Sequence, residues 1–295
     1  NGGKVLFNAE VTGGQFDGSN WYLKTKQGQV RTRYVVNCAG LYGDIVDRNV
    51  LGTVGFTIKP RKGQFVVFDK AAGKLLNSVI LPVPTERSKG IVLFPTIFGN
   101  LAVGPTAEEQ ESRNDASVDK ETLISLTKQA IQKLPNLADI PVTATYAGIR
   151  SATEEKHYRV THESDRNWIT LGGIRSTGLT GALGLAQHVQ NLLSKQSADF
   201  VVVENPKVQP VPNLAEHLPR DYQTPGYGEV VCHCEMVPQR EILASLEKPI
   251  PAGSLDGIKR RTRATMGRCQ GFYCSARLAE LTKGKFTNSL GFGDS

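Results

Sequence analysis

Four of the five cysteines in this 295-residue chain fall between Cys232 and Cys274. They come as C-H-C-E at 232–235 and C-Q-G-F-Y-C at 269–274, with thirty-four residues between the inner cysteines. Two close pairs of thiols supply what a tetrahedral all-cysteine metal centre needs, and the ion is either zinc or the irons of a [2Fe-2S] cluster. In a chain this long, such clustering argues for a metal site in a reducing compartment over a disulfide framework.

The rest of the sequence bounds what surrounds that centre. With 39% hydrophobic residues the chain has apolar mass for a large core, and its length predicts about two domains. No window approaches the roughly 18 to 20 uncharged apolar residues of a membrane span, and no signal-peptide hydrophobic region is present. The reading is a cytoplasmic protein without a transmembrane segment, compatible with peripheral attachment to a membrane through a partner and with an oligomer. The formal charge of +7 would suit nucleic acid, but bases and acids are interspersed almost everywhere, so nucleic acid is not expected as a partner. The chain opens without methionine at Asn1-Gly2-Gly3-Lys4-Val5, in what reads as an element turning into a strand. The expectation is a piece of a longer protein.

Residues 4–36 alternate polar and apolar side chains, which predicts a β-meander of Val5–Phe7, Trp21–Leu23 and Tyr34–Val36 with turns at Gly13-Gly14 and Gln27–Gln29. Asn37-Cys38-Ala39-Gly40 follows, small residues that let a backbone or ligand come close. Cys38, with no cysteine neighbour, reads as a buried inert thiol. From Gly55 to Thr106 strand follows strand: 56–59, 64–68, 78–81, 91–95 and 101–103, with a hairpin turn at Phe98-Gly99-Asn100. One amphipathic helix comes next, capped by Asp119 or Ser117 and ended by Pro135. A strand at 142–149 then displays Arg150 at its tip. This is an α+β lobe whose sheet face is suited to covering a ligand.

Residues 166–195 form a further unit: a buried strand at 167–171, a glycine-rich turn, and a helix from Gly181 to Lys195. Free backbone N–H groups and the helix dipole make such a turn an anion site, although neither G-x-G-x-x-G nor G-x-x-x-x-G-K-[ST] occurs in the chain. Residues 197–227 carry Pro206, Pro210, Pro212, Pro219 and Pro225 with little periodicity, as an extended linker would. The segment from 228 to 285 is small enough to be marginal on an apolar core alone, and a metal would staple it. Helices are expected at 237–246, 255–266 and 276–283, with the cysteine pairs on the loops between them.

Taken together, Val35–Leu41, the P-R-K-G-Q segment at 60–64, Ala147-Gly148-Ile149-Arg150 and the turn from Gly172 to Gly184 resemble the second half of the D-amino-acid-oxidase superfamily of FAD-dependent oxidoreductases, which includes the glycerol-3-phosphate dehydrogenases. The resemblance covers roughly residues 1–195. It implies a mixed α+β and α/β fold, an antiparallel substrate sheet with part of an FAD domain, whose N-terminal nucleotide-binding part lies outside this chain, so that the FAD site is incomplete. It also implies that Ala39, Gly40, Gly173, Gly178, Leu179, Thr180 and Gly181 lie along the flavin, where a helix N-terminus stabilises negative charge developing on the ring. Arg150 and Arg175 then become the anchors of a small anionic substrate, because guanidinium binds carboxylate or phosphate bidentately. A general base is harder to assign. The aerobic glycerol-3-phosphate dehydrogenases place a histidine two residues after a K-G pair like Lys62-Gly63, where this chain has Phe65.

The cysteine spacing, C-x-C followed by C-x-x-x-x-C, resembles the bacterioferritin-associated-ferredoxin type of [2Fe-2S] domain. C-H-C-E and R-T-R-A-T-M-G-R-C-Q-G-F-Y-C also resemble the C-terminal segment of the anaerobic glycerol-3-phosphate dehydrogenase A subunits. Cys232, Cys234, Cys269 and Cys274 are the implied ligands, with zinc the alternative, and Lys259, Arg260, Arg261, Arg263 and Arg268 are expected to offset the charge of the centre.

The resulting organisation is 1–50 partial FAD domain, 51–165 substrate domain, 166–196 return to the FAD domain, 197–227 linker, 228–285 [2Fe-2S] domain and 286–295 tail. The expected function is an FAD-dependent dehydrogenase of a small anionic 2-hydroxy substrate, first sn-glycerol 3-phosphate, whose electrons leave through the [2Fe-2S] centre to a protein subunit or quinone-linked partner. The alternatives are an oxidase of 2-hydroxy acids or amino acids and a non-catalytic zinc or Fe-S docking module.

Overall fold

The computed structural model describes residues 2–83, 90–196, 200–208, 210–211, 217–247 and 250–286. Parts of the expected linker, and the expected tail from 287 onward, lie outside the described residues. The early alternation folds as a three-stranded antiparallel meander, β1 (Val11–Phe16), β2 (Trp21–Thr25) and β3 (Gly28–Thr32). Val5, Leu6 and Phe7 are not a strand and remain exposed. Gly13-Gly14 is not a turn but lies inside β1. A Cβ on Gly14 would stand 2.7 Å from Val50 Cγ1, so this glycine lets the strand lie against its neighbour.

The run at Tyr34–Val36 gives β4 (Val35–Asn37), which leaves the meander, and α1 (Gly43–Val46) follows. The two strands expected across 56–68 are one, β5 (Ile58–Phe68), running straight through Pro60-Arg61-Lys62-Gly63. Then come β6 (Val92–Pro95), β7 (Leu101–Gly104) and the short β8 (Glu108–Glu109). β8 explains the single strand: Arg61 pairs with Glu109 and Lys62 with Glu108 in the antiparallel ladder, holding the P-R-K segment extended. Ser78–Leu81 contributes only an isolated bridge, Ile80 to Leu93. The helix α2 (Lys120–Lys133) is capped as expected, Asp119 accepting from the Thr122 N–H at 2.8 Å. β9 (Val142–Thr153) continues past Ile149, so Arg150 stands within a strand rather than at its tip, followed by buried Ser151, Ala152 and Thr153. β10 (Arg159–Glu163) pairs antiparallel with β11 (Trp168–Gly172), and β11 pairs parallel with β4. α3 (Gly178–Ser194) begins inside the glycine-rich turn, so Gly178 to Gly181 form its first turn. The last elements are β12 (Val230–Cys232), β13 (Val237–Pro238), α4 (Gln239–Glu247), α5 (Leu255–Thr262) and α6 (Ser275–Thr282).

The chain divides into two compact units, with two of the boundaries inside β5 and β9. The first comprises Asn1–Gly63, Thr106–Ser117 and Ala147–Lys207. Its core is Trp21 against Trp168, centroids 4.9 Å apart, with Val50 and Leu51. Beside it, buried Asp47 gathers three donors on Oδ1: Asn37 Nδ2 at 2.7 Å, Trp168 Nε1 at 3.0 Å and Thr170 Oγ1 at 2.8 Å. Asn37 Oδ1 in turn accepts from the Ala39 N–H at 3.0 Å. The end of β4 is thereby fixed by a fully buried polar network.

The second unit comprises Gln64–Pro105, Val118–Tyr146 and Val208–Ser295. One core, from Val66, Phe68, Leu93, Leu101 and Val103, lies under Leu126 and Ala130 of α2. A separate core joins Val231, Val237, Ile242, Ile258 and Leu278 to Cys232 and Cys274.

Candidate functional site

The four clustered cysteines line one cavity of about 330 Å³ together with His233 and Tyr273. Cys232 ends β12 and Cys234 follows in the tight turn to β13, while Cys269 sits in a loop and Cys274 is the residue before α6. Only part of the set is on loops between helices: Cys232 is placed by a strand. The second expected helix stops at Thr262 because Arg263 takes a left-handed backbone with φ of 71°. That early stop frees residues 263–268 to turn back toward Cys234. At Gly267 a Cβ would lie 2.1 Å from Cys234 Cβ, so only glycine lets the two loops approach this closely.

The thiols meet in two contacts of two, Cys234 with Cys269 and Cys232 with Cys274. Among the described residues no three His, Cys, Asp or Glu side chains converge on a single ion. The environments of the two contacts differ. Burial, reinforced by Cys232, pushes the Cys274 thiol up to about 11. Cys269 is held low, first by the Tyr273 N–H and also by the N–H groups of Gly271 and Phe272, a backbone cradle for thiolate sulfur. For Cys234 the Cys269 N–H pulls down, but burial and the neighbouring Cys269 and Cys232 thiols outweigh it, and the net direction is up.

The bases expected to offset this centre are mostly committed elsewhere. Arg260 faces Asp256 across 3.8 Å on the surface, and Arg261 donates to the carbonyls of Gly257 and Ile250. Arg263 pairs with buried Glu235 at 2.8 Å, and Arg268 holds Asp69 with bonds of 3.0 and 2.6 Å. Of these, Arg268 also feels the Cys234 charge. On the outer side, Phe272 and Tyr273 form an edge-to-face pair, 81% and 77% exposed.

The first unit holds the other predicted site. Thr177 makes no side-chain cap to α3, so the N–H groups of its first turn are not taken by a capping side chain, and Leu179 is 94% exposed. Gly173 and Gly40 have φ of 62° and 56°, which favour glycine, and a Cβ on Gly40 would meet nothing within 4 Å. An uncapped helix N-terminus and an open glycine backbone fit the edge of a flavin. Arg150 is half-buried and donates to the carbonyls of Arg61 at 3.3 Å, Lys62 at 2.9 Å and Thr106 at 2.6 Å, so it ties the local backbone as well as presenting charge. Burial first, then the Arg61 and Arg175 charges, lower its pKa. Arg61 is neutralised by Glu109. Arg175, with φ of 63°, makes no side-chain hydrogen bond or ion pair among the described residues. Two guanidiniums that repel each other, one of them unpaired, favour a shared anion.

Residues 1–192 match the family of FAD dependent oxidoreductases, and residues 230–283 match the BFD-like [2Fe-2S] binding domain. The chain belongs to the FAD-dependent oxidoreductase family. Its cofactors are FAD, which this family binds, and the [2Fe-2S] cluster that the second match indicates. This chain is 31% identical to the glycerol 3-phosphate dehydrogenase of Caloramator mitchellensis over 95% of its own length and 60% of that protein. It is 30% identical to the glycerol 3-phosphate oxidase of Mycoplasma pneumoniae over 65% of its length and 51% of that protein. The chain thus spans less than two thirds of the length of these relatives. The solved L-alpha-glycerophosphate oxidase of M. pneumoniae with FAD bound is similar at a TM-score of 0.55 and 28% identity, covering 63% of this chain and 50% of that one. L-Proline dehydrogenase from P. horikoshii, at 20% identity and a TM-score of 0.59 over 66% of this chain and 51% of that one, shares the fold.

Other expectations about this chain need correction or addition. Cys38 is exposed, not buried. Phe65, in the position where the aerobic enzymes carry histidine, stacks on Tyr146 at 4.7 Å and 9°, and burial raises the Tyr146 phenol. His162 bonds Gln196 at 3.0 Å, and His233 is the histidine that lines the thiol cavity. Sequence reasoning missed Asp69, Lys70 and the role of Glu235, although Glu235 stands in the C-H-C-E motif itself. No helix among the described residues is long and apolar enough to cross a membrane.

Proposed function

We propose that this chain forms part of an FAD-dependent dehydrogenase that oxidises a small anionic 2-hydroxy substrate, with sn-glycerol 3-phosphate as the first candidate, and delivers electrons through the [2Fe-2S] centre to a protein or quinone-linked acceptor. The observation that carries this reading is the four-thiol cavity in the same chain as the flavoenzyme fold. A flavin that passes electrons to dioxygen needs no such centre, whereas a one-electron acceptor does. Similarity to proteins named glycerol 3-phosphate dehydrogenase and glycerol 3-phosphate oxidase supports the substrate class.

When bound, FAD supplies hydride acceptance and the cluster supplies one-electron transfer. The chain's own residues do the rest. Arg175, with the remaining valence of Arg150, holds the substrate anion and so fixes the position of its C–H bond. The N–H groups at the start of α3 would face the bound cofactor and offer a positive field for negative charge there. Cys232, Cys234, Cys269 and Cys274 hold the cluster.

The test is a comparison on flavin-loaded enzyme of glycerol 3-phosphate, L-2-hydroxyglutarate and amino acids, each with an artificial dye and with dioxygen. Glycerol 3-phosphate with dye should give the fastest turnover. Dioxygen reduced as fast as the dye would favour the oxidase reading instead.

A further inference from the structure

The two thiol contacts stand in different surroundings. Cys232 and Cys274 belong to the apolar core of their own segment, both 1% exposed. Cys234 lines a polar cavity of about 210 Å³ whose wall also includes Asp69, Lys70, Glu235 and Arg268, the residue before Cys269. Asp69 and Lys70 follow directly on β5, with Lys70 164 positions before Cys234 in sequence, and belong to the same compact unit as the cysteines.

The bonds across this cavity end on the cysteine-bearing loops. Lys70 Nζ donates to the Cys234 carbonyl at 3.1 Å and pairs with Glu235 Oε1 at 3.1 Å. Glu235, its side chain 2% exposed, is held on its other oxygen by Arg263 at 2.8 Å, and Arg263 lies 3.5 Å over the Phe98 ring. Arg268, the residue before Cys269, grips Asp69 bidentately, and Gln270, the residue after Cys269, donates to the Thr143 carbonyl at 2.8 Å. Each of these contacts lies next to a cysteine or is coupled to one that does. A set of ties serving only to join the helices to the sheet would not gather at the thiols.

We infer that Asp69 and Lys70 are positioning residues for the iron-sulfur centre: acting through Arg268, Glu235 and the Cys234 carbonyl, they hold the Cys234 and Cys269 loops against the sheet and set the reduction potential of the cluster. The inference rests on the four cysteines being its ligands. Reduction adds one negative charge to the cluster, so each neighbouring cation favours the reduced state and each neighbouring anion opposes it. The network alternates sign, and removing its members one at a time must therefore move the potential in opposite directions.

The experiment is a redox titration of the cluster-loaded chain, followed by visible absorption, with chelator-driven bleaching measured beside it. Iron content of the unmodified chain comes first: protein that holds no iron in its thiol cavity would sink the ligand assignment and this inference with it. Given a loaded cluster, Asp69→Asn and Glu235→Gln should raise the potential, by leaving Arg268, or Arg263 and Lys70, without their counter-charges. Arg268→Gln and Lys70→Met should lower it. Bleaching should quicken, in keeping with the roughly 10-fold to 100-fold loss of metal affinity common when outer-shell partners are removed. If Asp69→Asn fails to fold, Lys70→Met, whose side chain is 43% exposed, carries the test with the expected fall in potential. Asp69→Glu, which keeps the charge, should restore most of the original value. Potentials unchanged in all variants, or shifted the same way in all of them, would overturn the inference, because a purely structural role loosens the cluster without a sign.

Discussion

Gly267 is the tightest single point of the thiol site. A methyl group there would stand 2.1 Å from Cys234 Cβ, and neither loop has a flexible side-chain end to move aside. Gly267→Ala should cost about 1–3 kcal/mol as overpacking does and should lower iron per chain well below the unmodified level, measured by metal analysis beside thermal unfolding. Arg175 is the corresponding residue at the other site. Replacing it with alanine removes a charge-assisted bond worth about 1.5–3 kcal/mol, so KM for glycerol 3-phosphate should rise roughly 10-fold to 100-fold, with lysine recovering only part because it lacks the planar fork. A third residue-scale expectation concerns acid stability. Asp44 is fully buried and bound bidentately by Arg113, at 2.6 and 2.9 Å. Burial raises its carboxyl pKa, but the Arg113 bonds and the Ile58 and Ile45 N–H groups outweigh burial and bring it below the ordinary value. A lowered folded-state pKa gives stability that is present above the unfolded value near 3.9 and is lost as pH falls through the folded one. Arg113→Met should cost about 3–5 kcal/mol near neutral pH, and the gap in melting temperature should close as pH drops below about 4.

At the scale of elements, the misread boundaries have physical causes. Pro60 and Gly63 punctuate the sequence like a turn, yet pairing of Arg61 and Lys62 with β8 keeps β5 extended, a long-range ladder that local propensity does not carry. Gly13-Gly14 looks like a turn for the same reason and is instead a site of close approach to Val50. α5 ends early because Arg263 turns left-handed toward Glu235, a bond to a residue twenty-eight positions back. In contrast, α2 was legible end to end, since its cap and apolar spacing are local. α3 offers a direct test of what its start is for. An acidic residue in the first turn of a helix stabilises it by about 0.3–1 kcal/mol. Thr180→Asp should therefore leave the melting temperature equal or higher, while on the proposed placement FAD affinity falls because the new carboxylate would occupy the field offered to the cofactor. Flavin titration by fluorescence quenching measures the second effect; tighter FAD binding in this variant would contradict the placement of α3 at the flavin.

For the whole molecule, what the sequence revealed of the site was that four thiols belong together, because four cysteines cluster in a way that chance spacing rarely produces, and all four line one cavity. What it concealed was the setting: Asp69 and Arg268 are 199 positions apart, and no periodicity or motif links them. The same difference separates the two cores of the second unit. The core of Val66, Phe68, Leu93 and Leu126 is built from long apolar runs and stands on its own area. The core around Ile242, Ile258 and Leu278 includes Cys232 and Cys274, so the proposed metal ligation and the apolar packing would share the same side chains. Ligand binding to the native state adds directly to its stability. Chelation of the cluster should accordingly speed backbone hydrogen exchange in α4, α5 and α6 while leaving α2 and β7 near their original protection. Cys274→Ala should add a packing loss of about 0.5–1.5 kcal/mol to the loss of cluster, whereas Cys269→Ala, in a half-exposed loop, should lose the cluster with little beyond it. Equal protection in α4–α6 with and without the cluster would mean that the segment folds on its apolar core alone, which its small size makes the harder outcome to reach.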